Sequence, residues 1–151
     1  MKDLVELAKE YLSRGKEVVI TAKGRSMKPL LRDSIDRIIL SNFTPQNLRA
    51  GDVVLYERND GSFVIHRIVD INDGMCDLLG DFQTFIEKGV PIDRIIAVST
   101  GFIRGEKEFS VNAGTYKLYV KIWGKKSFVR RAYVFCSAKL TSLKRRIKNG
   151  R

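Results

Sequence analysis

The chain has 151 residues, 44% of them hydrophobic and 30% charged, which suits one folded domain and excludes a disordered chain. Its net charge of +11 is unevenly placed: residues 1–108 hold 16 of the 28 Lys and Arg and all 17 Asp and Glu, so residues 109–151 carry the other 12 basic groups and no acid. An excess confined to one segment points to an anionic partner, lipid headgroups or nucleic acid, against the plainer reading of a solvated helix face.

At the N-terminus, Leu4, Val5, Ala8, Tyr11 and Leu12 fall at helical spacing and Gly15 offers a C-terminal cap, which predicts a short amphipathic helix over 2–14. Asp3, Glu6, Lys9 and Glu10 interrupt any apolar run there, so the segment does not read as a secretory signal. No window approaches the ~20 apolar residues of a membrane span, and the expected location is the cytoplasm, peripheral on the inner face of the plasma membrane.

From residue 17 the period changes to that of strands. Segments 17–22, 37–40, 53–57, 62–70, 94–103 and 108–111 are rich in β-branched and aromatic residues, and 75–79, apolar and bounded by turns, reads as a further strand. Asp60-Gly61 and Asp73-Gly74 each separate two of them, and Asp-Gly supplies the positive φ angles of tight primed hairpin turns. The fold class expected is mainly β, an antiparallel domain within residues 1–112 that includes the N-terminal helix.

Residues 113–151 read as a basic helical tail. Val129, Tyr133, Cys136, Leu140, Leu143 and Ile147 form an amphipathic stripe, with Arg130, Arg131, Lys144, Arg145 and Lys148 off it, on a helix ~30 Å long. Upstream, Tyr116, Tyr119 and Trp123 mix with Lys117 and Lys121. Such a mixture suits a membrane interface, and it equally suits aromatics packed onto the β domain.

Cys76 and Cys136 lie far apart without a Cys-x-x-Cys or companion histidines, so neither a disulfide framework nor a zinc site is expected. Both read as buried small hydrophobes in a reducing compartment. There is no phosphate-cradling glycine loop either, and no cofactor or metal is implied.

The residues that could carry chemistry are few. In Gly24-Arg25-Ser26-Met27-Lys28-Pro29, glycine frees the backbone before Ser26 and proline stiffens it after, between two strand candidates. His66, the only histidine, stands in Phe63-Val64-Ile65-His66-Arg67-Ile68-Val69, where alternation places it on one face with Val64 and Ile68. A histidine there is ordinarily a satisfied structural residue, but an imidazole on a rigid strand is also what a serine nucleophile needs as general base. Gly80-Asp81 and then Glu87 add carboxylates.

Taken together these motifs resemble the superfamily of signal peptidases and SOS-repressor proteases. The resemblance rests on Ser26-Met27-Lys28-Pro29, Gly51-Asp52-Val53-Val54, Ile65-His66-Arg67-Ile68-Val69, Gly80-Asp81 and a closing Arg94-Ile95-Ile96-Ala97-Val98, over residues 20–103. It is similar to the branch with histidine as base. The resemblance implies a coiled antiparallel β core and a serine endopeptidase that cleaves a leader or precursor peptide. Ser26 would be nucleophile and its backbone N–H the oxyanion donor, His66 the general base, and Asp81 or Glu87 the third residue, with Asp81 favoured. Met27 and Pro29, which follow the nucleophile in the motif, would touch substrate. Two departures stand out: Gly24 occupies a position where many signal peptidases have serine, and the chain lacks the transmembrane helix that anchors housekeeping members.

Two other functions compete. One is a self-cleaving repressor-type regulator, although too few residues precede Ser26 for a helix-turn-helix module. The other is a non-enzymatic β domain whose basic tail binds nucleic acid, to which a hydrophobic stripe is poorly suited.

Overall fold

A computed structural model describes residues 2–124 and 128–149. A first helix, α1 (Lys2–Ser13), is followed by eight strands: β1 (Val18–Thr21), β2 (Arg37–Ser41), β3 (Val53–Glu57), β4 (Phe63–Asn72), β5 (Met75–Leu79), β6 (Glu87–Pro91), β7 (Ile95–Arg104) and β8 (Lys107–Ser110). Two helices close the chain, α2 (Gly114–Trp123) and α3 (Phe128–Asn149). The fold is mainly β, as the strand periodicity predicts.

All pairings are antiparallel, in the order β1-β2-β7-β3-β4-β5-β6, with β8 extending along β7. β3 lies between β4 and β7 and is buried on both faces, which is why it reads as a continuous apolar run. Val53 and Leu55 join a core with Leu12, Met27, Leu31, Ile38 and Phe102; Val54 and Tyr56 join a second core with Ile68, Cys76 and Leu78. α1 covers the first core with Val5, Ala8 and Leu12, and Gly15 caps it in a left-handed conformation, φ 73°, its N–H donating to the Leu12 carbonyl.

The two Asp-Gly hairpins turn differently. Asp73 and Gly74 are both left-handed, the primed turn expected, whereas of Asp60-Gly61 only Gly61 is. There the Gly61 N–H donates to the Arg58 carbonyl and the Arg58 N–H to the Ser62 carbonyl, so residues 58–62 form a longer loop with one left-handed residue. β6 is absent from the sequence-based expectation because Gly89 and Pro91 argue against a strand. It forms at the end of the sheet, where a proline's missing N–H costs no ladder bond.

The tail meets one of the two readings of its aromatics and departs from expectation at Arg130 and at Cys136 and Val129. Tyr116, Tyr119 and Trp123 face inward: Tyr116 packs at a tilt against Phe102 and Tyr119 stacks on Trp123, so packing onto the β domain is the reading that holds for these aromatics. Arg130, expected on the solvated face of α3, is buried, and its Nη1 donates to the Gln83 carbonyl. Cys136 is exposed, as is Val129, because α3 meets the body through Arg130 and Tyr133 instead. Leu140, Leu143, Ile147, Lys144, Arg145 and Lys148 lie outside the residues whose side chains are described.

Candidate active site

Ser26 sits in a loop between β1 and β2 that is fastened at several points. Gly24 has φ 92°, a conformation that L side chains rarely adopt, so this position takes glycine for its backbone. Its N–H donates to Asp33 Oδ1 at 2.8 Å. The Ala22 N–H donates to the Asp36 carbonyl and the Ser34 N–H to the Ala22 carbonyl, which closes the base of the loop. Asp36, fully buried, accepts from the Arg32 N–H and guanidinium and from Arg104, and Arg104 Nη2 also donates to the carbonyls of Pro29 and Leu30. Burial raises the Asp36 carboxyl, but the Arg32 hydrogen bonds outweigh it and hold the group below its usual range. A loop held this way presents its serine in one orientation.

The Gly80-Asp81 motif supports Ser26 from behind. The Phe82 N–H donates to the Ser26 carbonyl at 2.7 Å. A Cβ on Gly80 would lie 2.7 Å from that same oxygen and 2.8 Å from Gln83 Oε1, so only glycine permits this approach. The Asp81 side chain points its chemistry elsewhere. Arg67 Nε and Nη2 donate to its two oxygens at 2.8 and 2.7 Å, and Tyr119 donates to Oδ2 at 2.7 Å. Arg67 also donates to the Gly51 carbonyl and to Tyr116, while Trp123 Nε1 donates to the Asp81 carbonyl. Arg67 and Asp81 are each 2% exposed, and the aromatics of α2 cover them. Gly51-Asp52 belongs to the same cluster: Gly51, φ 106°, turns the chain into β3, and Val120 of α2 packs against it.

His66 is likewise 2% exposed. It pairs with Val54 across β3 and β4, which puts it diagonal to Tyr56 on one sheet face, and Nδ1 lies 3.1 Å from the Tyr56 hydroxyl. Tyr56 donates to Glu87 Oε2 at 2.6 Å, and Arg58 clasps the same carboxylate through Nε and Nη2. Glu87 thus connects to His66 through Tyr56. Burial pulls the His66 pKa down to about 4, helped by the positive charge of Arg58 and opposed by Glu87 and Asp81. Burial raises Glu87, but hydrogen bonds from Arg58 and Tyr56 hold it below the usual carboxylate range. Burial and the bond to Glu87 push the Tyr56 hydroxyl up, so it stays protonated.

Ser26 and His66 line one cavity of about 930 Å³. Its walls are largely apolar, with Val18, Ile20, Leu55, Phe63 and Ile65 among them, and Met27 lines it too. Pro29 does not; it lies where Arg104 takes its carbonyl. Two strand edges border the cavity. β1 is the end of the sheet and pairs only with β2, and β5 covers β4 only from Arg67 onward, so residues 63–66 have one open edge. Among the described residues no hydrogen bond joins Ser26 Oγ to His66, and no group of three His, Cys, Asp or Glu is placed to hold a metal.

Tyr56, Arg58, Gln83 and Tyr119 are site residues that sequence reasoning missed. The apolar run of β3 hides Tyr56, and only the β3–β4 register brings it to His66. Compared with known proteins, the chain matches no family model, no curated protein and no solved structure.

Proposed function

We propose that the protein is a serine endopeptidase of the signal-peptidase type, with Ser26 as nucleophile and His66 as general base. The observation that supports this best is the shared cavity: a serine on a fastened loop and the only histidine, from distant parts of the chain, both line one largely apolar chamber. The chamber lies between two unpaired strand edges, so an extended peptide entering it can pair its backbone with β1 and with residues 63–66 while apolar side chains fill the walls. Substrate closes the remaining distance between Ser26 and His66, since catalytic hydrogen bonds are often long before substrate binds.

Ser26 Oγ attacks the scissile carbonyl and His66 takes its proton. The Ser26 N–H donates to the oxyanion, its peptide steadied from the next carbonyl by Phe82. His66 then gives the proton to the leaving amine, and water hydrolyses the acyl-enzyme by the same route in reverse. Labelling with a serine-directed acylating probe tests the assignment: it is lost in Ser26→Ala and His66→Ala, and labelling indifferent to both substitutions overturns it. Mass spectrometry of a peptide mixture then reads Ser26-dependent cuts.

The proposed place of action is an anionic membrane surface. Among the described residues no helix is long and apolar enough to cross a bilayer. Leu118 and Ile122 on the outer face of α2, and Phe128 (83% exposed) and Phe135 (61%) on α3, stand exposed beside Lys117, Lys121, Arg131 and Lys139. Each basic group near anionic lipid contributes ~1 kcal/mol. Because α2 covers Arg67 and Asp81, the test keeps the helices and replaces Phe128 and Phe135 by serine. Sedimentation with phosphatidylserine vesicles then falls for the variant; equal binding by variant and wild type overturns the membrane reading.

A further inference from the structure

Tyr56 has one hydroxyl proton and two neighbours that could take it. Glu87 Oε2 lies at 2.6 Å and belongs to a carboxylate that Arg58 keeps ionised; His66 Nδ1 lies at 3.1 Å. A short, charge-assisted bond to the carboxylate is the stronger of the two, so the proton goes to Glu87. The hydroxyl oxygen is then left only as an acceptor, and the atom facing it must be a donor. Nδ1 therefore carries the hydrogen of the neutral imidazole, and Nε2 carries the lone pair.

On the peptidase reading of Ser26 and His66, we propose that Tyr56 is a positioning residue, a hydroxyl relay between His66 and Glu87 that fixes the imidazole tautomer and leaves Nε2 free to accept the serine proton. During the reaction Nε2 gains that proton and Nδ1 keeps its own, so the bond to Tyr56 persists in the imidazolium. The Glu87 charge steadies the cation at one remove, and Arg58 sets how much of that charge His66 feels. The carboxylate of a conventional triad does both jobs by direct contact; here the tyrosine ring also fills the apolar space beside the base, its centroid 5.9 Å from the imidazole.

His66 is the only histidine, so nitrogen NMR of protein labelled in histidine reads its two ring nitrogens without overlap. At pH 7 the wild type shows Nδ1 protonated and Nε2 bare. In Tyr56→Phe the ring loses this preference and moves to the Nε2–H form that free histidine favours, and Ser26 acylation falls on the order of 10²-fold. Glu87→Gln, which keeps the hydroxyl but removes the charge, gives a smaller fall with the Tyr56 contact retained. Thermal melting of each variant shows whether it is folded, and where Tyr56→Phe does not fold, the wild-type tautomer and Glu87→Gln decide.

A wild-type ring protonated on Nε2 overturns the relay, as does a folded Tyr56→Phe protein with unchanged tautomer and acylation. A wild type with the Nδ1–H tautomer, lost in Tyr56→Phe, but with no Ser26-dependent labelling or cleavage leaves the tautomer assignment standing and overturns the peptidase reading beneath it.

Discussion

Asp81 and Glu87 are neighbours in sequence and do opposite work in the fold. Asp81 is sealed under α2, and its two oxygens are taken by Arg67 and Tyr119. Glu87 stands at the margin of the sheet, partly in solvent, and reaches His66 through Tyr56 while Arg58 pairs with it. One carboxylate belongs to a buried ionic cluster beneath the Ser26 loop, the other to a hydrogen-bonded chain behind His66. Stability and activity should separate along the same line.

The largest effect is expected at the sealed pair. Asp81→Ala leaves the Arg67 guanidinium buried without its counter-charge, which costs about 3–5 kcal/mol. Glu87→Gln removes only a partly exposed ion pair and should cost about 1 kcal/mol or less. Urea unfolding of the two variants beside wild type measures both. Equal losses would break the comparison, since Asp81 would then not be the structural carboxylate of the two.

Acid stability separates His66 from the groups around it. His66 titrates at about 4 in the folded protein and near 6.5 when unfolded, so on acidification the unfolded chain takes the proton first. Stability is therefore lost as pH falls from about 6.5 toward 4, by on the order of 3 kcal/mol from this group alone. Carboxylates titrate in part of the same window, and the difference between wild type and His66→Gln isolates the histidine. The expected result is a variant whose stability falls less steeply between pH 6.5 and 4. Parallel curves would mean that His66 is not held neutral.

Much of this was legible in the sequence and some was not, for physical reasons. Apolar runs and the turn residues between them mark the strands from β1 to β5, β7 and β8: β7 alternates between buried and half-buried positions, whereas β3 is buried on both faces. β6 escapes that pattern, and so does the direction in which α3 faces: Arg130 is buried against Gln83 because a backbone carbonyl waits there, which no periodicity encodes. Ser26 stands out through Ser26-Met27-Lys28-Pro29 and His66 as the only histidine, and their motifs favour Asp81 as the third residue. The partner of the imidazole depends on the cross-strand register that sets Tyr56 beside His66. Side chains that meet only through register leave no short-range mark on the chain.

A smaller effect on stability than that of Asp81→Ala tests where the two regions join. Gly80 stands beside Asp81 in the structural cluster, yet its Cα faces the Ser26 carbonyl, and Phe82 donates to that carbonyl from the same turn. A methyl group in Gly80→Ala must displace both the Ser26 peptide and the Gln83 side chain. Gln83 is the flexible partner, so the turn yields in part and the cost stays about 1–3 kcal/mol. The Ser26 loop, by contrast, is fastened at both ends and cannot shift without misaiming Ser26. Acylation of Ser26 should therefore fall more than stability does, while the His66 tautomer stays as in wild type because the Tyr56 chain is untouched. Loss of the tautomer in Gly80→Ala would mean that the cluster beneath the serine and the chain behind the histidine are one mechanical unit rather than two.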